Sequence, residues 1–235
     1  SDESVKWLLL DFQADVEPNS TAVYRICRSE ATCLEHQGSN ILVTETLEHF
    51  LVNTGRATFS VNRRLCKPFD AVQVEGAELL CDEGTSFVLS GEDGAAYLPY
   101  IDDIVLETTG PVRATINAQG NVQSAAGKSL ARFIARLSFY AASGFVEMQI
   151  TLRNPRAACH PGGLWDLGDE GSIYFKDLSL HVPLQGQSSP EICWTTQPSQ
   201  ESTTHPGDCV EIYQDSSGGE NWRSANHVNR FGQVT

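Results

Sequence analysis

Several features are scarce or missing in this sequence of 235 residues, and each absence excludes a class of protein. Basic residues number 16 against 30 acidic ones, and the formal net charge of −14 would repel nucleic acid and anionic membranes. The apolar run Trp7–Leu10 is far too short to span a bilayer. We therefore expect no nucleic-acid partner and no membrane insertion. An acidic glycan would need a local basic patch or bound cations.

The sequence also lacks the short motifs of common enzyme classes. It contains no Gly-rich phosphate loop, no His-Glu-x-x-His, no Gly-x-Ser-x-Gly and no Cys-x-x-Cys. Asp102 and Asp103 are adjacent acids, but neighbouring residues of a strand point to opposite faces. We therefore predict that this pair lies in an exposed turn and does not carry out acid/base chemistry.

Cysteine is common and methionine is rare, with 7 Cys and 1 Met. Most of the cysteines flank turn-like sequences, which favours short disulfide loops in an oxidising, extracellular or cell-surface location. The predicted pairs are Cys27–Cys33, Cys66–Cys81 and Cys193–Cys209, which leaves Cys159 unpaired. The alternative is a cytosolic protein with scattered buried thiols.

Alternation of apolar and polar residues predicts an all-β fold with very little helix. The clearest element is a hairpin in which Phe133–Tyr140 is followed by Val146–Arg153, joined by a connection that contains Gly144. The segment Glu45–Val52 fits either a helical turn or a strand. The other predicted strands are Val5–Gln13, Ile41–Thr44, Ala57–Val61, Ala71–Val74, Ile104–Thr108, Val112–Ala118, Ser172–Val182 and Val210–Tyr213. Strands at this spacing predict an antiparallel β-sandwich, with loops at 185–190 and 198–206.

The segment Val5–Gln13 is apolar on both faces of its predicted strand, so we expect it to be buried on two sides. Pairing within its own sandwich is the first expectation. The alternative is that the strand adds to the sheet of a neighbouring subunit, which would allow self-association into a filament.

Two loops contain residues that are typical of binding sites. In the first, residues 160–171, the carboxylates of Asp166, Asp169 and Glu170 are candidate calcium ligands. The competing interpretation is that these acids cap backbone amides in tight turns. The second loop, residues 213–230, mixes aromatic and planar polar side chains that suit a sugar, or equally an interface with another domain. Its candidate carbohydrate-binding residues are Tyr213, Asn221, Trp222, Arg223 and His227.

Several segments resemble the exo-rhamnogalacturonan lyase-like (YetA-like) family. Ser4–Phe12 resembles the last strand of that family's N-terminal barrel, and Gly110–Ala114 and Arg136–Ala141 resemble its central β-sandwich. The stretches 160–172 and 213–223 resemble loops of large members. The resemblance implies a large sandwich of the galactose-mutarotase or super-sandwich type, with residues 1–16 as a barrel strand and residues 17–235 as the sandwich.

The family resemblance also implies a function. In that family an α/α toroid follows the sandwich and is thought to carry most of the active cleft, so no catalytic residue is transferred to this chain. We expect an extracellular, carbohydrate-associated and non-catalytic portion of a polysaccharide lyase-like protein that acts on pectic glycans. A β-elimination would need a base, for which His160, His227, Arg223 and Tyr213 are the candidates. The alternative is a structural or adhesive subunit of an extracellular filament.

Overall fold

The computed structural model of the chain describes residues 6–26, 40–157, 170–186, 192–195 and 202–205. These residues contain thirteen β-strands and no helix, which confirms the predicted all-β class. No helix in the described ranges is long and apolar enough to cross a membrane. The described residues divide into two compact units, one up to Arg153 together with Phe175–Pro183, and the other made of the remainder.

The first sheet of the larger unit is an antiparallel meander of five strands in sequence order. Its strands are β1 (Leu42–Glu45), β2 (His49–Asn53), β3 (Ala57–Asn62), β4 (Ala71–Val74) and β5 (Ala77–Glu78). Alternate residues such as Phe50, Val52, Phe59 and Val61 are almost fully buried, so one face of this sheet lines the core.

The second sheet has six strands in the order β10-β9-β8-β7-β6-β11. Its strands are β6 (Ser86–Gly91), β7 (Ala96–Thr109), β8 (Arg113–Ser124), β9 (Ser129–Tyr140), β10 (Val146–Arg153) and β11 (Phe175–His181). The predicted hairpin is confirmed, with Phe139 opposite Val146 and Arg132 opposite Arg153. The left-handed residue of its connection is Ala142, with a φ of 54°, and not Gly144.

The core lies where the inner faces of the two sheets meet, as in a β-sandwich. Phe59 of β3 packs against Phe139 of β9 with ring centroids 5.2 Å apart, and Phe69 contacts both rings. Ile116 and Leu137 complete the same buried cluster from the six-stranded sheet. Burial of these apolar side chains is the main source of stability for the two-layer arrangement.

Most of the other predicted strands are confirmed in the described residues, within a few residues at their ends. The ambiguous segment Glu45–Val52 contains the strand β2 and no helix. The sequence patterns missed β6 and the full length of β7. The predicted strand Val210–Tyr213 lies outside the described residues.

The N-terminal strand prediction is wrong for the residues described. Residues 6–26 form no strand, and Trp7 and Leu9 are exposed by 92% and 72%. Within the larger unit, polar side chains of this segment contact the sandwich instead. Asp11 pairs with Arg113 at 3.1 Å, and the Gln13 side chain donates to the Ala141 carbonyl at 2.6 Å. The division of the chain at residue 16 stays a prediction.

The Cys66–Cys81 disulfide prediction is also wrong, because both residues carry free thiols. Cys66 lines a small space between the sheets beside Ile104 and Leu137, while the Cys81 amide bonds to the Pro183 carbonyl after β11. The turn-like sequence between them leads the two side chains to different surroundings. Cys27, Cys33, Cys159 and Cys209 lie outside the described residues, so the pairs Cys27–Cys33 and Cys193–Cys209 stay predictions.

The smaller unit contains one short hairpin, β12 (Ile192–Trp194) with β13 (Thr203–His205). The strand β13 falls within the stretch 198–206 that was predicted to be a loop, so that prediction is wrong at these positions. Two side chains also bond to backbone within this unit. Asn154 donates to the Gly171 carbonyl at 2.7 Å and Arg156 to the Ser172 carbonyl at 2.8 Å.

Candidate functional site

The outward side of the six-stranded sheet is predominantly polar and forms the candidate site, here called the outer face. Strand register places side chains of β7, β8, β9 and β10 in rows across it. One row joins Val105, Asn117, Arg136 and Gln149. The outer face is defined by Tyr100, Asp102, Asp103, Val105, Glu107, Arg113, Thr115, Asn117, Gln119, Asn121, Arg132, Ile134, Arg136, Ser138, Tyr140, Glu147, Gln149, Thr151 and Arg153.

Two irregularities in β7 place acids on this face. The register with β8 shifts between Ile101 and Asp103 and again between Leu106 and Thr108. A β-bulge inserts an extra residue and changes the direction in which side chains point. The bulge at Asp102 passes so close to Gly120 of β8 that a Cβ there would lie 2.0 Å from the Tyr100 carbonyl oxygen. Only glycine allows β7 to approach β8 in this way.

The first bulge overturns the prediction made for the Asp102-Asp103 pair. The two acids lie within β7 and not in a turn. Asn121 donates to Asp102 at 2.6 Å, and Gln119 donates to Asp103 at 3.2 Å. Asn121 and Gln119 are two residues apart on β8 and therefore share a face. Both carboxylates therefore lie on the outer face, because the bulge interrupts the alternation by which adjacent residues of a regular strand point to opposite faces.

The second bulge positions Glu107 for a paired interaction in the middle of the face. Arg136 of β9 donates two hydrogen bonds to its carboxylate, at 2.8 and 3.1 Å, and Asn117 of β8 adds a third at 3.2 Å. The bonds from Arg136 lower the pKa of Glu107 from its usual value and raise that of Arg136. Both groups are therefore charged at neutral pH, and the three strands β7, β8 and β9 are tied together.

One end of the outer face is occupied by a second network. The Tyr140 hydroxyl donates to Glu147 at 2.7 Å, and Gln149 donates to the same carboxylate at 3.0 Å. The Tyr140 bond lowers the pKa of Glu147 and raises that of Tyr140, so the phenol is a poor base at neutral pH. Arg113, opposite Tyr140 in the ladder, is paired with Asp11 of the N-terminal segment.

The side chains at the opposite end of the face, here called the open end, have few partners among the described residues. A single row runs across it from Tyr100 on β7 through Asn121 and Arg132 to Arg153 on β10. The Tyr100 ring is 41% exposed, and both arginines are exposed to solvent. Exposed aromatic rings pack against the C–H groups of sugars, and planar amide and guanidinium groups bond to hydroxyl or carboxylate oxygens. The arrangement is suited to holding a glycan.

A second surface recess is a weaker candidate. It has a volume of about 450 Å³ and lies beside the turns of the five-stranded sheet. Its lining includes Arg56 and Glu75, which face each other at 3.8 Å, but no aromatic residue. An exposed ion pair without an aromatic platform gives little basis for sugar binding.

The sequence-predicted site residues fall almost entirely outside the described ranges. This is so for Tyr213, Asn221, Trp222, Arg223 and His227, for the calcium candidates Asp166 and Asp169, and for the base candidate His160. The third calcium candidate, Glu170, is described and exposed. In the described part of the chain, no group of three or more His, Cys, Asp or Glu residues is placed to hold a metal ion. Both site predictions therefore stay predictions.

Comparison with known proteins identifies the fold of the part that carries the outer face. Residues 41–155 match the family model described as the PcRGLX-like protein central beta sandwich domain. Over these residues the chain is similar to the PcRGLX-like family. The match spans all strands from β1 to β10 and confirms the resemblance to the central sandwich of rhamnogalacturonan lyase-like proteins. No curated protein matches the chain.

Proposed function

We propose that this PcRGLX-like sandwich is a non-catalytic, carbohydrate-associated part of a polysaccharide lyase-like protein that acts on pectic glycans. The outer face is the surface that holds the glycan. The observation that carries the proposal is the row from Tyr100 to Arg153, which presents an exposed aromatic ring and planar polar groups together. A protein with this role meets its polymer outside the cell or at the cell surface.

The rigidity of the outer face supports this role. Glu107, Arg136 and Asn117 hold one another in place, as do Tyr140 and Glu147. Side chains that are already ordered lose little conformational entropy when a ligand binds. Along β9 the face runs from Arg132 to Tyr140, about 26 Å at about 3.3 Å per residue, which is enough for several sugar units.

Calorimetric titration of the full chain with rhamnogalacturonan oligosaccharides tests the proposal. Tyr100→Ala should weaken binding by about 1–3 kcal/mol if the ring is a central contact. Tyr174→Ala is the matched control, because Tyr174 is also exposed but belongs to the other compact unit. Absence of binding to the unmodified protein would reject the proposal.

The loop that contains Trp222 is a competing location for the same function. Tyr213, Asn221, Arg223 and His227 accompany this tryptophan in the sequence and offer a similar mixture of groups. Trp222→Ala in the same titration separates the two locations. Weaker binding of Trp222→Ala with unchanged binding of Tyr100→Ala would move the site from the outer face to that loop.

A filament subunit is the second candidate function, and the exposed N-terminal segment favours it. Trp7, Leu8 and Leu9 are 92%, 69% and 72% exposed and lie in no strand. Apolar residues of this kind can add as a strand to the sheet of another subunit. Deletion of residues 1–16 followed by light scattering tests this: loss of a polymer with the fold retained supports it, and an unchanged monomer rejects it.

A further inference from the structure

The open end of the outer face places two positive charges directly opposite each other. Arg132 of β9 and Arg153 of β10 are partners in the ladder, and both side chains are exposed. Like charges at directly opposed positions destabilise a sheet. An arrangement that costs stability in the free protein, on a chain with net charge −14, indicates that this spot meets an anion.

Within the described ranges, the two arginines have one long ion pair between them, from Arg132 to Asp102. Among the described residues Arg153 has no ion-pair partner, and the carboxylate nearest to Arg132 is Asp102 at 3.9 Å. Asp102 is held instead by the much shorter bond from Asn121, at 2.6 Å. The contrast with Arg136, which Glu107 binds at two points, shows that the guanidinium groups at the open end keep their donors available.

We propose that Arg132 and Arg153 together bind the carboxylate of a uronate residue, so that the outer face selects acidic over neutral pectic glycans. This inference rests on the proposed function. The planar fork of a guanidinium matches the geometry of a carboxylate and forms paired hydrogen bonds with it. Tyr100 and Asn121, in the same row, are placed to contact the ring and hydroxyls of that sugar or its neighbour.

The overall negative charge does not prevent this recognition. At physiological ionic strength the screening length is about 8 Å, so distant acids act weakly on a ligand at the surface. The field at the open end is set by the groups in contact with the ligand. The −14 charge then disfavours anions elsewhere on the protein and leaves the arginine pair as the preferred location.

The test compares two ligands that differ only at the carboxylate, rhamnogalacturonan oligosaccharides and their fully methyl-esterified forms. Calorimetric titrations use the full chain, Arg132→Gln, Arg153→Gln and the control Arg56→Gln. Arg56 is 63% exposed and lies in the turn between β2 and β3 of the other sheet, so its replacement removes the same charge elsewhere. Each arginine of the pair should contribute about tenfold or more to the affinity for the acidic oligosaccharide. The Arg56 variant should bind like the unmodified protein.

Failure of this inference is distinguishable from failure of the proposed function. If both oligosaccharides bind equally well, or if Arg153→Gln binds like Arg56→Gln, the carboxylate site is rejected while glycan binding stands. If neither oligosaccharide binds, both proposals are rejected. Neither variant should unfold, since removing one of two opposed positive charges relieves repulsion. A lower unfolding temperature for Arg132→Gln and Arg153→Gln would therefore contradict the argument independently.

Discussion

Gly120 is the residue through which the packing of β7 against β8 can be tested most directly. A Cβ at this position would lie 2.0 Å from the Tyr100 carbonyl oxygen and 2.9 Å from the Asp102 amide nitrogen. Real Cβ contacts are essentially never shorter than 3.0 Å. In Gly120→Ala the carbonyl must retreat by about 1 Å, the difference between 3.0 and 2.0 Å.

The expected loss of stability in Gly120→Ala follows from the kind of atom that the new methyl group displaces. Inserting a methyl group into a packed region costs about 1–3 kcal/mol, and occasionally more. The obstructing atoms at Gly120 are backbone atoms, which have no rotamer through which to escape. We therefore expect Gly120→Ala to lower the free energy of unfolding by about 3 kcal/mol, the upper end of that range. The shift should also displace Asp102 and weaken its bond to Asn121.

Urea unfolding followed by far-ultraviolet circular dichroism measures this effect. Tryptophan fluorescence would report on it poorly, because none of the four tryptophans lies in the strands β1 to β11. Gly144→Ala is the matched control, since Gly144 has open space around its Cβ position and no left-handed φ. It should change stability by no more than about 0.5 kcal/mol. Equal stability of the two variants would refute the close approach of β7 to β8.

Three further predictions concern the core, a buried thiol and a hydrogen bond whose contribution to stability depends on pH. Phe139→Ala should lower the free energy of unfolding by about 3–5 kcal/mol in the same urea assay, because it empties a fully buried site between Phe59 and Phe69; a loss below about 1 kcal/mol would contradict the sandwich core. Burial raises the pKa of Cys66 to about 12, so in the folded protein at pH 8 it should resist alkylation while half-buried Cys81 reacts. Peptide mapping checks this, and recovery of a Cys66–Cys81 disulfide would refute it. The hydrogen bond between Tyr140 and Glu147 lowers the pKa of Glu147, and this stabilises the folded state at pH values above the ordinary pKa of 4.5. It also raises the pKa of Tyr140, and this stabilises the folded state at pH values below the ordinary pKa of 10.0. The stability advantage over Tyr140→Phe should therefore be greatest between these limits, and it should vanish as pH falls through the Glu147 pKa or rises through that of Tyr140; a pH-independent difference in unfolding midpoint would contradict it.

The strands that the sequence predicts well are those with one buried and one solvated face. Phe133, Leu137 and Phe139 alternate with polar residues in β9, so periodicity alone locates the strand and its inner side. The strand β6 was missed because its apolar run Phe87–Leu89 is short, does not alternate with polar residues, and is flanked by serine and glycine, which also occur in turns. The segment 6–13 shows the opposite error. Its apolar pattern is typical of a strand, but among the described residues no strand pairs with it. A strand needs a neighbouring strand to bond with, and the sequence pattern of one segment does not show whether that neighbour exists.

The outer face was hidden from sequence reasoning for a different physical reason. Its rows join residues far apart in the chain, as when Tyr100, Asn121 and Arg153 come into line. Strand register depends on turn lengths and bulges, and a shift of one residue exchanges the two faces. The Asp102 bulge is such a shift, and it made the rule of alternating faces give the wrong answer. The signal that was present is Gly120 in the middle of a strand pattern, which often marks a bulge.

The outer face contains a central network of side chains that are hydrogen-bonded to one another, and an open-end row of side chains with few partners. We expect the two to have different roles. Glu107 and Arg136 satisfy each other, so a glycan gains little by competing for their hydrogen bonds. They fix the shape of the surface. Tyr100, Arg132 and Arg153 have few partners and keep most of their contact area and donors for a ligand. Affinity should therefore depend on the open-end row, and substitutions in the central network should act first on stability and only through it on binding. The two measurements, unfolding and titration, separate these roles for each residue of the face.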